Sequence, residues 1–211
     1  MLNIQIAEKK FGTNIIFKNI EVSIPENGIY GFVGKNGEGK TTFFKCLLGL
    51  TNYDCSILLN SQKLILNKIA WCATEPDLYD ELTAAEFYDF YCELTNSKKF
   101  SQNLLFEVPE NQLIKSFSTG MKKKTYLNAI FQNDHQIYIL DEPFNGLDLE
   151  SNYILMNFLK EKSKTAIVLI SSHILEILYT NCQSIYVIKD KNIEQFSKEN
   201  YHFIEKKLFD F

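Results

Sequence analysis

The stretch Gly34-Lys35-Asn36-Gly37-Glu38-Gly39-Lys40-Thr41-Thr42 follows the spacing G-x-x-x-x-G-K-[ST] of a phosphate-binding loop. Its glycines let the backbone fold tightly and turn N–H groups inward, where they cradle a polyphosphate. Lys40 supplies a point charge for the β and γ phosphates, and the Thr41 hydroxyl a ligand for Mg²⁺. Ile29-Tyr30-Gly31-Phe32-Val33 reads as an apolar strand running into the loop, and Thr42 to Leu48 as a helix leaving it. Strand, loop and helix in that order imply a nucleoside triphosphate site on an α/β domain.

At 211 residues, 45% of them hydrophobic, the chain is long enough to bury a substantial core. No apolar run approaches the ~18–20 residues that cross a bilayer. Met1 to Ile6 alternates like a strand and carries no signal-peptide pattern. A net charge of -4 argues against nucleic acid as the main partner, because a phosphate backbone wants a basic surface. Five cysteines with no C-x-x-C pair fit reduced thiols in a cytosolic protein better than a disulfide frame or a zinc site. Arginine is absent, so any role usual for a guanidinium falls to lysine or is missing.

Asn14 to Ile24 alternates as a strand, and Pro25-Glu26-Asn27-Gly28 turns the chain into the loop strand. Ser56 to Asn60 and Ile69 to Cys72 are further strand candidates. Thr83-Ala84-Ala85-Glu86 has the pattern of a capping box opening a helix through about Leu94. Thr95 to Gln102 reads as a polar loop, and a second helical patch is expected through Pro109 toward Lys115. Residues 78 to about 132 thus form a mainly helical subdomain set into a core of about 1–77 and 133–211, all within one domain. Gln136–Leu140, Thr165–Ile170 and Ile185–Ile188 resume as buried strands, and apolar strands separated by helical spans suggest a parallel sheet covered on both faces. Ligands lie off the carboxyl ends of such strands, where Gly34, Asp141 and His173 all fall.

Asp141 and Glu142 end an apolar strand, where one carboxylate can hold Mg²⁺ and the next can polarise an attacking water. Four further stretches carry a resemblance. Phe117-Ser118-Thr119-Gly120-Met121 resembles the signature loop of ABC ATPases in its Tyr-Ser-x-Gly-Met form. Phe144-Asn145-Gly146-Leu147-Asp148 resembles the loop that signals between their subunits. Ser171-Ser172-His173 resembles their switch histidine, and Phe11-Gly12 stands at the adenine-stacking aromatic. The sequence therefore resembles, from about residue 2 to 190, an exporter-like ATP-binding subunit of an ABC transporter.

That resemblance implies a P-loop NTPase core with an antiparallel β portion and a helical subdomain. It implies ATP, over GTP, held with Mg²⁺ by the loop, Thr41 and Asp141. Ser118, Thr119, Gly120 and Met121 are implied to meet the nucleotide of a second ATP-binding subunit, in a homo- or heterodimer. Asn145 to Asp148 are the implied inter-subunit loop, and Glu142, His173 and Lys40 the implied catalytic groups. A separately encoded membrane permease is the implied partner, which puts the chain in the cytoplasm on the inner face of the cell membrane. The permease docks between Thr74 and the helix opened by Thr83, with Leu78, Tyr79, Phe87 and Tyr88 as candidate contacts. Lys122-Lys123-Lys124 are expected on a solvated helix face, and His135 and His202 on the surface. Thr74 departs from the family, which has a glutamine there. It either reaches Mg²⁺ through water or leaves that role to Glu75, and altered coupling is expected. Two alternatives stay open: a nucleotide-gated module with vestigial hydrolysis, and a soluble ABC-type ATPase not tied to transport.

Overall fold

The computed structural model describes residues 1–51, 54–95 and 103–209. β1 (Leu2–Phe11) and β2 (Asn14–Ile24) form a hairpin that leads to β3 (Gly28–Val33), the phosphate loop and α1 (Lys40–Leu47). β4 (Asp54–Leu59), β5 (Gln62–Lys63) and β6 (Ile69–Cys72) precede two helices, α2 (Ala84–Leu94) and α3 (Thr119–Ile130). The chain then runs through β7 (Ile137–Leu140), α4 (Leu149–Lys162), β8 (Ile167–Ser171) and α5 (Leu175–Asn181). It closes with β9 (Ser184–Lys189), β10 (Asn192–Ser197) and α6 (Ile204–Phe209).

Two sheets result. One is antiparallel, in the order β2-β1-β4-β5; the other runs β10-β9-β3-β8-β7-β6 and is parallel except for its β9–β10 hairpin. β3, β7 and β8 are buried at every position, as strands covered on both faces must be. Their side chains alternate between two cores. Tyr30, Phe32, Ile139 and Leu169 join Ile4, Phe17, Phe43 and Phe44 beneath the antiparallel sheet and α1. Ile29, Val33, Leu140, Val168 and Ile170 join Leu155, Leu159, Leu178 and Leu208 beneath α4, α5 and α6.

α2 and α3 enclose a third apolar cluster of Ala84, Phe87, Tyr88, Ile114, Phe117 and Ala129. The capping box that opens α2 is present in full: Thr83 Oγ1 accepts the Glu86 N–H, and Glu86 accepts the Thr83 N–H at 2.8 Å. The helical patch expected toward Lys115 is not a helix. Residues 103–113 are irregular and end in a single 3₁₀ turn, Ile114–Ser116. Pro109 disfavours helix at Val108, and buried Asn128 replaces helical bonds by pairing with both the N–H and the C=O of Phe106. The polar loop expected beyond Thr95 lies, over residues 96–102, outside the described residues. Phe87 and Tyr88 are core side chains, 2% and 1% exposed, and are closed to a permease; Tyr79 is open at 57%.

Candidate active site

β3, β8 and β7 lie side by side and parallel, so their carboxyl ends bring Gly34, Asp141 and His173 to one edge of the sheet. Gly39 stands at φ 110°, and a Cβ there would meet Phe17 at 2.8 Å, so both backbone and space demand glycine. Gly39 is also the N-cap of α1 and offers no side-chain cap, which leaves the first N–H groups of the helix to a ligand. Lys40 Nζ donates to the Gly34 carbonyl at 2.8 Å. A cleft of about 740 Å³ opens here, lined by Asn36, Gly37, Gly39, Lys40, Thr41, Thr42, Thr74, Asp141, Glu142, Asn145 and His173. Lys35 and Glu38 stand outside this lining: they close the loop turn backbone to backbone, and the Glu38 carboxylate accepts the Asp190 N–H at 3.1 Å.

Asp141 is 1% exposed, and three hydroxyls converge on it. Thr41 and Thr74 both donate to Oδ2, the latter at 3.0 Å, and Ser171 donates to Oδ1 at 2.6 Å. A single carboxylate with alcohol oxygens is a sparse, hard donor set. It suits Mg²⁺ that keeps waters and shares a nucleotide's phosphates. Among the described residues no three His, Cys, Asp or Glu side chains gather to hold a metal alone. Glu142 has a left-handed backbone, φ 49°. Its N–H donates to Ser171 Oγ at 2.8 Å. Its carboxylate pairs with His173 Nδ1 at 2.9 Å and accepts the His173 N–H at 3.3 Å. A carboxylate and an imidazole held together at an open cleft can orient a water and share its proton.

The signature stretch lies outside the cleft lining. Ser118 and Thr119 are exposed, and Ser118 caps α3 by accepting the Met121 N–H at 3.2 Å. Gly120 packs so closely that a Cβ would stand 2.5 Å from the Gly146 carbonyl oxygen. Asp148 caps α4, accepting the Ser151 N–H at 2.8 Å, and pairs with Lys124 at 2.9 Å; those bonds hold its carboxyl well below the usual aspartate range. Asn145 reaches the cleft, whereas Leu147 packs on the core. Phe11 is 55% exposed at the end of β1, with Lys9 Nζ 4.1 Å from its ring centroid, and does not line the cleft.

Two expectations are corrected. The lysines after Met121 are not a solvated face: Lys122 pairs with Asp80, Lys124 with Asp148, and Lys123 is buried. Its position four residues before Leu127 and seven before Ile130, both fully buried, was the available signal. His135 is half-buried against Tyr138 with Nε2 3.3 Å from the Ile130 carbonyl, and burial lowers its pKa; His202 is exposed as expected. The four described free cysteines are all buried, and desolvation pushes the Cys72 thiol up to about 12. No helix among the described residues is long and apolar enough to cross a membrane.

Comparison with known proteins follows this geometry. The profile of the ABC transporter family matches residues 17–145. The lantibiotic transport ATP-binding protein SrtF of Streptococcus pyogenes is 33% identical over 83% of this chain and 81% of its own. The SkfA peptide export ATP-binding protein SkfE of Bacillus subtilis is 30% identical over 92% of this chain and 88% of its own. Among solved structures, the ATP-binding subunit of an ABC transporter superposes with a TM-score of 0.85 at 24% identity, over 93% of this chain and 90% of that one. A dimeric ATP-binding cassette bound to ADP and phosphate superposes at 0.80 with 19% identity, over 94% and 99%. The fold, the phosphate-loop cleft and these relatives together establish that the chain belongs to the ABC transporter family, as an ATP-binding ATPase subunit.

Proposed function

We propose that this chain hydrolyses ATP in a head-to-tail dimer to drive a separately encoded membrane permease of the export type. The observation that carries the reading is the Glu142–His173 pair, set in one cleft with Lys40, Thr41 and Asp141. Lys40 exchanges the Gly34 carbonyl for the β and γ phosphates, which outbid a neutral acceptor. The free N–H groups of α1 cradle the same phosphates. Thr41 and Asp141 would hold Mg²⁺, with Thr74 as a further oxygen beside them, and the ion would supply positive charge against the phosphates. Glu142 takes the proton of the attacking water, and His173 keeps its carboxylate aimed.

Exposure of Ser118 and Thr119 outside the cleft supports their use on a partner's nucleotide, and Phe11, exposed with Lys9 over its ring, is the aromatic for adenine. The loop from Asn145 to Asp148, packed on Gly120, joins the two surfaces. Residues 78–132, with their own apolar cluster, serve as the helical subdomain that meets the permease, and Tyr79 remains a contact. The named roles of the two relatives favour a peptide cargo. Through the permease, the chain would work at the cytoplasmic face of the membrane.

Glu142→Gln should release phosphate at least about 100-fold more slowly, the span of general-base catalysis. With ATP and Mg²⁺ it should accumulate as a dimer on gel filtration, while Lys40→Ala stays monomeric. A monomer for both variants would sink the sandwich.

A further inference from the structure

Lys123 lies just past the signature segment on α3 and is 2% exposed. Its Nζ donates to the Thr74 carbonyl at 2.7 Å and to the Glu142 carbonyl at 3.1 Å. Burial of an ammonium carries a heavy desolvation penalty, and here it lowers the lysine's pKa even against the pull of Cys72, Asp141 and Glu142. A leucine or methionine would fill the space without that penalty, so the charge calls for a role.

Glu142 supplies one. A residue with a Cβ in the left-handed region persists only when its surroundings over-determine it. Its φ of 49° is held at the amide by Ser171 and at the carbonyl by Lys123, which shares that oxygen with the Asn145 N–H at 3.2 Å. The other carbonyl that Lys123 grips belongs to Thr74, whose hydroxyl donates to Asp141. One ammonium therefore pins, from behind, two backbones whose side chains face the cleft.

We propose that Lys123 is a positioning residue for hydrolysis: it locks the Glu142 backbone in its left-handed conformation and docks the Thr74 segment beside it. The proposal rests on the reading of Glu142 as the group that activates water. The side chains it positions are Glu142, aimed at His173, and Thr74, aimed at Asp141. Nucleotide binding, which depends on the loop and α1, is left intact.

The test compares Lys123→Met, which removes the donors, with Lys123→Arg, which keeps charge and donors. In nucleotide-free protein, hydrogen exchange of the peptide spanning 141–147 should be about 10-fold faster in Lys123→Met and unchanged across β8. Affinity for a fluorescent ATP analogue and the KM for ATP should stay within about two-fold, while kcat falls about 10- to 100-fold, the scale of a misaimed catalytic group. Lys123→Arg should recover at least about a third of the wild-type kcat, since it restores both donors. If Lys123→Met does not fold, Lys123→Gln is measured by the same criteria. Unchanged exchange at 141–147 or an unchanged kcat overturns the proposal. So does faster exchange throughout both sheets with affinity falling in step, which marks a packing residue. Absence of Mg²⁺-dependent phosphate release by the wild-type chain would remove the hydrolytic reading, and the exchange comparison would still judge Lys123.

Discussion

Ser171 shows how much one buried hydroxyl can organise. It is fully buried; its hydrogen goes to Asp141 Oδ1 and its lone pair receives the Glu142 N–H. Ser171→Ala leaves a carboxylate oxygen and a backbone N–H without that partner, which should cost about 1–3 kcal/mol in urea unfolding. The melting temperature should fall about 2–4 °C for each of those kcal/mol in a chain of this size. Phosphate release should drop about 10-fold or more, because Glu142 loses one of its backbone anchors. An alanine variant with unchanged stability and rate would show that neither bond matters. Ser171 was legible only as the first residue of a Ser-Ser-His string, since its two partners lie just past the end of β7 and meet it only once the sheet forms. Lys40, Thr41, Asp141 and Glu142 were legible because their spacing is itself the chemistry: a loop of fixed length and an acidic pair at a strand's end.

Among the elements, those defined by neighbours in sequence could be read and those defined by distant partners could not. The capping box of α2 lies within Thr83 to Glu86, so its pattern and its bonds coincide. The segment through Pro109 owes its irregular path to Asn128 on α3, which no local pattern announces. β5 and β10 were missed because each is a short or half-exposed partner in a hairpin. The start of α4 combines both kinds of bond. Asp148 caps it locally through Ser151 and reaches across to Lys124 on α3. Its folded pKa is depressed, first by the Ser151 N–H and then by Lys124. Its contribution is therefore present above the unfolded aspartate value of about 4 and is lost as pH falls through the lower folded value. Asn also caps helices, so Asp148→Asn isolates the charge. Urea midpoints should show the variant weaker at pH 7, with the gap closing below about pH 4 and narrowing in high salt. A gap independent of pH would assign the effect to the cap and not to the charge.

For the whole molecule, the separation of Ser118–Met121 from the cleft makes a prediction about mixtures. Lys40→Ala should disable the chain's own loop and Ser118→Arg the surface offered to a partner, so each variant alone should be inactive. Mixed in equal amounts, a head-to-tail pair of the two has one intact site of its two, so activity that neither variant shows alone should return, at up to about half of the wild-type level. No recovery would mean that each cleft works without the partner's signature segment. The strand order bears on biosynthesis as well. β3 lies between β8 and β9, which are made long after it, while β1 and β2 can pair as soon as they emerge. A nascent chain thus carries an apolar strand and its phosphate loop with neither neighbour of β3 in place until β8 and β9 are made. The cleft is complete only once β8 and His173 have been made, so nucleotide engages a largely assembled sheet and not a loop that has just emerged.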